Sequence, residues 1–265
     1  MPAVPGPRPS PEPPTTPSAG RAGTPSLRGD HHVHSTFSDD AVSTPAENLA
    51  AAVGAGLDTI RMVDHVRLTT TYVPDFLSVV RALPPVEGLT VLTGVEAKIL
   101  DATGAVDAPP EVLAALGTDR GADRVLLADH QFPGTDGPWS PRVVTEMIAG
   151  GLAPSDAVEM LVTATTRAVR RVGRAQLAHP FSLLPKIGLA EDDVPDELLD
   201  ALADVLVATG TPVEVNEKWH CPGPRVTARW LAAGVPLVAS TDAHVATDVG
   251  VYAWVRPVDP PAGRR

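Results

Sequence analysis

Short apolar runs and amphipathic stretches alternate along the middle of the chain. The apolar runs are LDTIRMVDH (57–65), LTVLTGVE (89–96), DRVLLADH (123–130), AQLAHP (175–180), TPVEVNE (211–217) and VPLVASTDAH (235–244). Helical stretches between them include residues 155–172, 195–210 and 224–234. Nearly continuous apolar strands that alternate with helices are typical of a parallel sheet covered on both faces. We expect an α/β fold with six or seven such units, closed or nearly closed into a barrel.

The first helix has a clear start signal. Thr44 is placed to be its N-cap, Pro45 to be its first residue, and Glu47 follows the cap by three positions. Leu49 and Val53 fall on one face of this helix. The pattern predicts a helix that begins at Pro45.

Polar residues gather where the predicted strands end. Six of the eight histidines lie there or in the opening segment, together with two carboxylates: His32, His34, His65, His130, His179, His244, Glu96 and Asp242. Active sites of α/β barrels are built at the carboxyl ends of the strands. A cluster of this kind is costly unless a cation lies within it, so the sequence predicts a metal site.

The opening segment, DHHVHSTFSDD, contains an H-x-H pair, His32 and His34. On a strand these two side chains point the same way and can bind one ion. Asp30 shares that face and is predicted to orient a ligand imidazole from behind. Asp242 and His244 form a second pair of this geometry, and Glu96 can bridge two ions. The number of nitrogen and oxygen ligands favours two or three divalent metals over one.

Six segments in order give the chain a family resemblance. DHHVHSTFSDD, MVDH, GVEAKI, RVLLADH, LAHP and ASTDAH resemble the motifs of the polymerase and histidinol phosphatase (PHP) superfamily. The resemblance covers about residues 29 to 250. It implies a distorted (β/α)7 TIM-like barrel that carries up to three Zn, Mn or Fe ions, and a hydrolase that acts on phosphoesters.

The resemblance also assigns the metal ligands. It implies one ion held by His32, His34, Glu96 and Asp242, and a second held by Glu96, His130 and His179. A third would be held by His65, His244 and Asp40, although Asp39 is close enough in sequence to be an alternative.

The expected activity is hydrolysis of a small-molecule phosphoester by a hydroxide shared between two metals, without a covalent intermediate. Alternatives remain open: a histidinol-phosphate phosphatase specifically, a non-catalytic metal-binding PHP module, or an amidohydrolase. The amidohydrolase is disfavoured because Glu96 stands where a bridging lysine is expected and the last motif is D-x-H.

Candidate substrate-binding residues are Lys98, Asn216, Lys218 and Arg225, each near a strand end or in a following loop. Asp129, which precedes His130, has two possible roles: a partner behind a metal ligand, or a strand-end residue that faces solvent.

Composition limits the remaining possibilities. The formal charge of -11 argues against nucleic acid as a partner, and the expected partner is a small phosphorylated substrate. One cysteine, Cys221, excludes an intramolecular disulfide framework and fits a cytoplasmic location, and we expect neither a signal peptide nor a membrane span. We predict a disordered Pro-rich tail over residues 1–27, a single PHP domain over 28–258, and a loose end over 259–265.

Overall fold

The computed structural model describes residues 25–255. Most of the predicted Pro-rich tail and the whole of the predicted loose end at 259–265 lie outside the described residues. The domain boundaries given above therefore stay predictions. Within the described residues, no helix combines the length and apolar character needed to cross a bilayer.

The elements follow one another as alternating strands and helices. The strands are β1 (Gly29–Val33), β2 (Thr59–His65), β3 (Thr90–Lys98), β4 (Arg124–Ala128), β5 (Phe132–Pro133), β6 (Pro138–Trp139), β7 (Ala175–Leu177), β8 (Val213–Asn216) and β9 (Leu237–Ser240). The helices are α1 (Pro45–Gly54), α2 (Val73–Arg81), α3 (Pro110–Ala115), α4 (Pro141–Ala149), α5 (Pro154–Arg171), α6 (Asp196–Thr209) and α7 (Pro224–Ala233). Short 3-10 helices span Leu184–Ile187, Glu191–Asp193 and Ala246–Asp248.

Seven strands form one parallel sheet in the order β1-β2-β3-β4-β7-β8-β9. Its two edges meet where Val33 pairs with Ala243 and the His34 amide donates to the Ala243 carbonyl at 2.8 Å. The sheet is therefore a nearly closed barrel, and the predicted distorted (β/α)7 architecture is confirmed. The β5 and β6 strands form a separate antiparallel pair, which the sequence pattern did not predict.

Helix α1 begins as predicted. The Thr44 hydroxyl accepts from the Glu47 amide at 3.3 Å, and the Glu47 carboxylate accepts from the Thr44 amide at 2.7 Å, which completes a capping box. Of the two residues that the pattern places on one face, Leu49 is buried and Val53 is exposed. The buried face of this short helix runs from Pro45 through Leu49 and ends at Ala52.

Candidate metal centre

Glu96, near the end of β3, lies at the centre of the histidine cluster and is almost fully buried. Its Oε1 atom is 3.1 Å from His130 Nε2 and 3.0 Å from His179 Nε2. Its Oε2 atom is 3.4 Å from His32 Nε2 and 3.3 Å from His34 Nε2. Oε2 also lies 2.9 Å from His65 Nδ1. The two oxygens of one carboxylate therefore face two different groups of imidazoles, the arrangement expected of a ligand that bridges two ions.

Asp242 reaches the same cluster from the loop after β9. Its Oδ1 atom is 3.2 Å from His34 Nε2 and 3.9 Å from His32 Nε2. Its other oxygen accepts a hydrogen bond from the Trp219 indole at 2.6 Å. This indole bond leaves Oδ1 directed at the histidine pair of β1.

The third predicted group also comes together, nearer to solvent. The two oxygens of Asp40 lie 3.4 Å from His65 Nε2 and 3.2 Å from His244 Nε2. Ring nitrogens of His34, His65 and His244, one from each, also lie within 4.8 Å of one another. Asp39 is exposed and lines the same cavity, but it makes no ion pair with either histidine among residues 25–255. The geometry favours Asp40 over Asp39.

Hydrogen bonds behind the buried histidines fix the direction of their rings. Ser38 Oγ donates to Asp64 at 2.6 Å and lies 3.3 Å from His34 Nδ1, so it accepts the proton of that nitrogen. Ser182 Oγ donates to Asp129 at 2.8 Å and accepts in the same way from His179 Nδ1 at 3.1 Å. With Nδ1 protonated, the neutral imidazole directs the Nε2 lone pair into the cluster.

Glu214 does the same for His32 from the middle of β8. Its oxygens lie 3.0 and 3.1 Å from His32 Nδ1. The same carboxylate accepts from Gln176 Nε2 at 2.7 Å, Asn216 Nδ2 at 3.1 Å and Ser240 Oγ at 3.0 Å. Glu214 is fully buried, and every contact made to it comes from a donor. It is therefore held as an anion behind a predicted metal ligand.

The field of the carboxylates makes the cluster attractive to positive charge. Burial lowers the pKa of His179, but the nearby carboxylates of Asp129 and Glu96 outweigh burial and raise the pKa to about 10. For His34, burial is likewise outweighed by Asp242 and Glu96, and the pKa rises to about 9. A divalent ion can supply this positive charge in place of protons, because the two compete for the same lone pairs.

One buried carboxylate oxygen also suits a bound cation. Glu96 Oε2 is buried and accepts no well-aligned hydrogen bond within the described residues, although imidazole nitrogens of His65, His34 and His32 lie 2.9, 3.3 and 3.4 Å away. A buried carboxylate oxygen left in this way is costly unless a cation binds it. The donor set is nitrogen and oxygen only, which suits zinc, manganese or iron.

Two of the predicted ligands have a strained backbone conformation. His179 has φ of 26° and Asp242 has φ of 54°, values that residues with side chains rarely adopt. Each such residue costs on the order of 1–3 kcal/mol, and strain of this kind concentrates at functional sites. Here it directs two side chains into one cluster from separate loops.

Asp30 does not have the role that the sequence predicted. Its carboxylate accepts from the Thr241 amide at 3.0 Å, the Thr241 hydroxyl at 2.6 Å and the Gly250 amide at 3.0 Å, and it contacts no imidazole nitrogen among the described residues. Asp30 therefore holds the loop that carries Asp242 rather than a histidine ring.

Asp129 was given two possible roles, and the structure supports the role of a partner behind a predicted ligand. Its carboxylate accepts from Ser182 and lies 3.6 Å from His179 Nδ1.

A cavity of about 470 Å³ opens above the cluster. Of the predicted substrate-binding residues, Lys98 and Lys218 line this cavity, and Asn216 and Arg225 do not. Asn216 is buried and bonds Glu214, Ser240 and the Trp219 amide. Arg225 lies at the start of α7 and pairs with Asp192 and Asp196. The prediction was wrong for these two residues because the polar groups of both already bond other residues of the fold.

Sequence reasoning also missed several residues of the site. Glu214 carried a usable signal, because a charged residue inside an apolar strand is rarely buried without a partner. Trp219 and Lys186, which also line the cavity, gave no such signal because both lie outside the motifs.

Comparison with known proteins agrees with this geometry. The family model described as the PHP domain matches residues 30–218, which contain seven of the nine predicted ligands; Asp242 and His244 follow it. A "probable phosphatase" of Thermoanaerobacter sp. (strain X514) is 25% identical over 84% of this chain and 81% of its own length. A "probable phosphatase" of Vibrio parahaemolyticus is 35% identical over 39% of this chain and 41% of its own.

A solved structure shares the fold. The histidinol phosphate phosphatase of Lactococcus lactis, determined in complex with zinc, L-histidinol and phosphate, has a TM-score of 0.56, with 15% identity over 82% of this chain and 86% of its own. At this identity the likeness concerns the barrel alone. The family match covers more than half of the chain and includes the opening histidine pair, and the chain belongs to the PHP domain family.

Proposed function

We propose that this protein hydrolyses a small phosphoester at a centre of two or three divalent ions, held by the ligands assigned above. The observation that carries the proposal is Glu96, whose two oxygens face two separate groups of imidazoles. The names of the curated relatives support phosphate chemistry as the activity class.

The residues fit the chemistry that such ions supply. Divalent ions, when bound, lower the pKa of coordinated water and stabilise negative charge on phosphoryl oxygens. The chain holds its ligands in place through Glu214, Ser38, Ser182 and Trp219. Lys218 lines the cavity, with its ammonium 3.4 Å from Asp242 Oδ2 and 3.1 Å from His244 Nδ1. From there it can contact a phosphoryl oxygen beside the ligands.

The proposal is tested by phosphate release from a panel of substrates. Protein loaded with Zn or Mn is assayed against p-nitrophenyl phosphate, histidinol phosphate, nucleoside monophosphates and a phosphodiester. His32→Ala and Asp242→Ala are expected to abolish turnover, because each removes a ligand at the centre, while the circular dichroism spectrum stays native. Full activity in either variant would refute the assignment.

The panel also separates the alternatives. Turnover confined to histidinol phosphate would identify that specific phosphatase. Two or three bound metals per chain with no turnover of any phosphoester would favour a non-catalytic PHP module. We favour the enzyme because all nine predicted ligands are present and converge, whereas loss of activity in a module is expected to remove some of them.

A further inference from the structure

The chain has only three lysines, Lys98, Lys186 and Lys218, and all three line the cavity above the metal centre. The remaining 18 of its 21 basic residues are arginines, and of the arginines within residues 25–255 only Arg67 lines the same cavity. Lysine carries a compact charge on a flexible stem and binds anionic groups as a point charge, whereas arginine suits fixed ion pairs. The distribution therefore sets the cavity apart from the rest of the molecule.

The three lysines differ in their partners. Lys98 is neutralised by Asp107 at 3.4 Å and bonds Gln131 at 3.2 Å. Lys218 contacts the predicted ligands Asp242 and His244. Lys186 forms no ion pair with a carboxylate within residues 25–255; its ammonium lies over the indole of Trp219, 4.2 Å from the ring centroid.

Two connections fix the position of Lys186 relative to the metal centre. The first is Trp219 itself, whose indole N–H bonds Asp242 at 2.6 Å, so the ring that supports the ammonium is anchored to a ligand. The second is the short 3-10 helix Leu184–Ile187, which follows the His179 loop and buries both of its terminal side chains. Lys186 is exposed, and the ring that its ammonium contacts does not neutralise its charge.

Lys186 lies farther from the predicted metal ligands than Lys218 does. Lys218 touches metal ligands directly, whereas Lys186 is separated from Asp242 by the indole ring. A phosphoryl group bound at the ions and Lys218 would leave the rest of the substrate in the cavity whose wall includes Lys186. An ammonium there favours an anionic group on the substrate.

We propose that Lys186 recognises a second anionic group on the leaving part of the substrate, so that the substrate class is a small phosphoester that carries a further carboxylate or phosphate. The inference rests on the proposed function. The competing possibility is a cationic leaving group, which would face Asp39 at the cavity wall, where Arg67 also lies.

Binding of non-hydrolysable phosphonates to zinc-loaded protein tests the inference. Butylphosphonate has a neutral tail, 4-phosphonobutyrate a carboxylate, propane-1,3-diphosphonate a second phosphonate, and 3-aminopropylphosphonate a cation. We expect the wild type to bind one or both anionic-tail ligands about tenfold more tightly than butylphosphonate, in keeping with a charged hydrogen bond. The two anionic ligands distinguish carboxylate from phosphate.

In Lys186→Met and Lys186→Gln, the affinity for the anionic-tail ligands should fall to within about twofold of the affinity for butylphosphonate. The affinity for butylphosphonate itself should change little. Lys186→Arg should retain part of the preference. Arg120→Met is the matched control, because it removes one positive charge from an exposed position outside the cavity and should keep the full preference.

Three results would overturn the inference. The wild type could show no preference for anionic tails, or the preference could survive in both Lys186→Met and Lys186→Gln. The third is that 3-aminopropylphosphonate binds more tightly than the ligands with anionic tails. Phosphate release from phenyl phosphate is measured on the same samples. Absence of turnover with an intact, Lys186-dependent preference would count against hydrolysis only, and turnover without the preference would count against the role of Lys186 only.

Discussion

At the scale of single residues, the site depends on anions placed behind the ligands as much as on the ligands. Glu214 illustrates this because it receives donors from His32, Gln176, Asn216 and Ser240. An amide in its place would direct its N–H group at one or more of these donors. A carboxylate is therefore the side chain that this buried position requires.

We expect Glu214→Gln to weaken metal binding about 10- to 100-fold, the usual cost of losing such a partner, because His32 loses a charged acceptor and part of its orientation. The measurement is metal affinity by competition with a chromophoric chelator. Glu191→Gln serves as a control, since Glu191 accepts from the Gly223 amide and lies outside the cavity. Equal metal affinity in the wild type and Glu214→Gln would show that the carboxylate is not needed.

At the scale of elements, the sequence predicted what local chemistry determines. Strands β2, β3, β4 and β7 were found because each apolar run is followed closely by a polar residue at its carboxyl end: His65, Glu96, His130 and His179. The β5–β6 pair was missed because two-residue strands leave no periodic pattern.

The errors at this scale share a physical cause. Asp30, Asn216 and Arg225 were assigned to the site from their positions along the chain, yet each is satisfied by residues distant in sequence: Asp30 by Thr241, Asn216 by Ser240, and Arg225 by Asp196. A strand-end position predicts the edge of the sheet at which a residue lies. It does not predict which neighbour takes its hydrogen bonds.

Helix α1 gives a prediction at the same scale. Thr44→Ala removes the hydroxyl that accepts from the Glu47 amide and should cost about 1 kcal/mol of unfolding free energy. For a domain of this size, that corresponds to a fall of roughly 2–4 °C in Tm, measured by thermal denaturation. Thr145→Ala, an exposed change inside α4, is the control and should leave Tm unchanged or slightly raised. A Tm for Thr44→Ala equal to that of the wild type would contradict the capping role.

At the scale of the whole molecule, neighbouring strands of the barrel pair over different lengths. The joint between β1 and the segment after β9, which closes the barrel, is short. Strands β2 and β3 pair over seven consecutive residues, whereas β1 forms one backbone bridge, Val33 with Ala243, to the segment after β9. The predicted ligands span this weak joint: His32 and His34 come from the β1 side, and Asp242 and His244 from the β9 side. Ions bound there would join the two edges of the sheet, and Asp30 already does so through Thr241.

Removal of the ions should therefore loosen the joint more than the rest of the barrel. We expect hydrogen exchange, measured by mass spectrometry on chelator-treated protein, to accelerate in peptides that cover residues 33–36 and 241–245, because open states become populated once ligand binding no longer favours the closed one. Peptides from the start of the β2–β3 pair, residues 59–63 and 90–94, are the internal control, since they contain none of the predicted ligands and their ladder is complete without metal. Restoring zinc should return exchange at the joint to its original rate. Equal acceleration in both regions would mean that the ions stabilise the barrel as a whole, and unchanged exchange at the joint would mean that Asp30 and the Val33 bridge close the sheet without them.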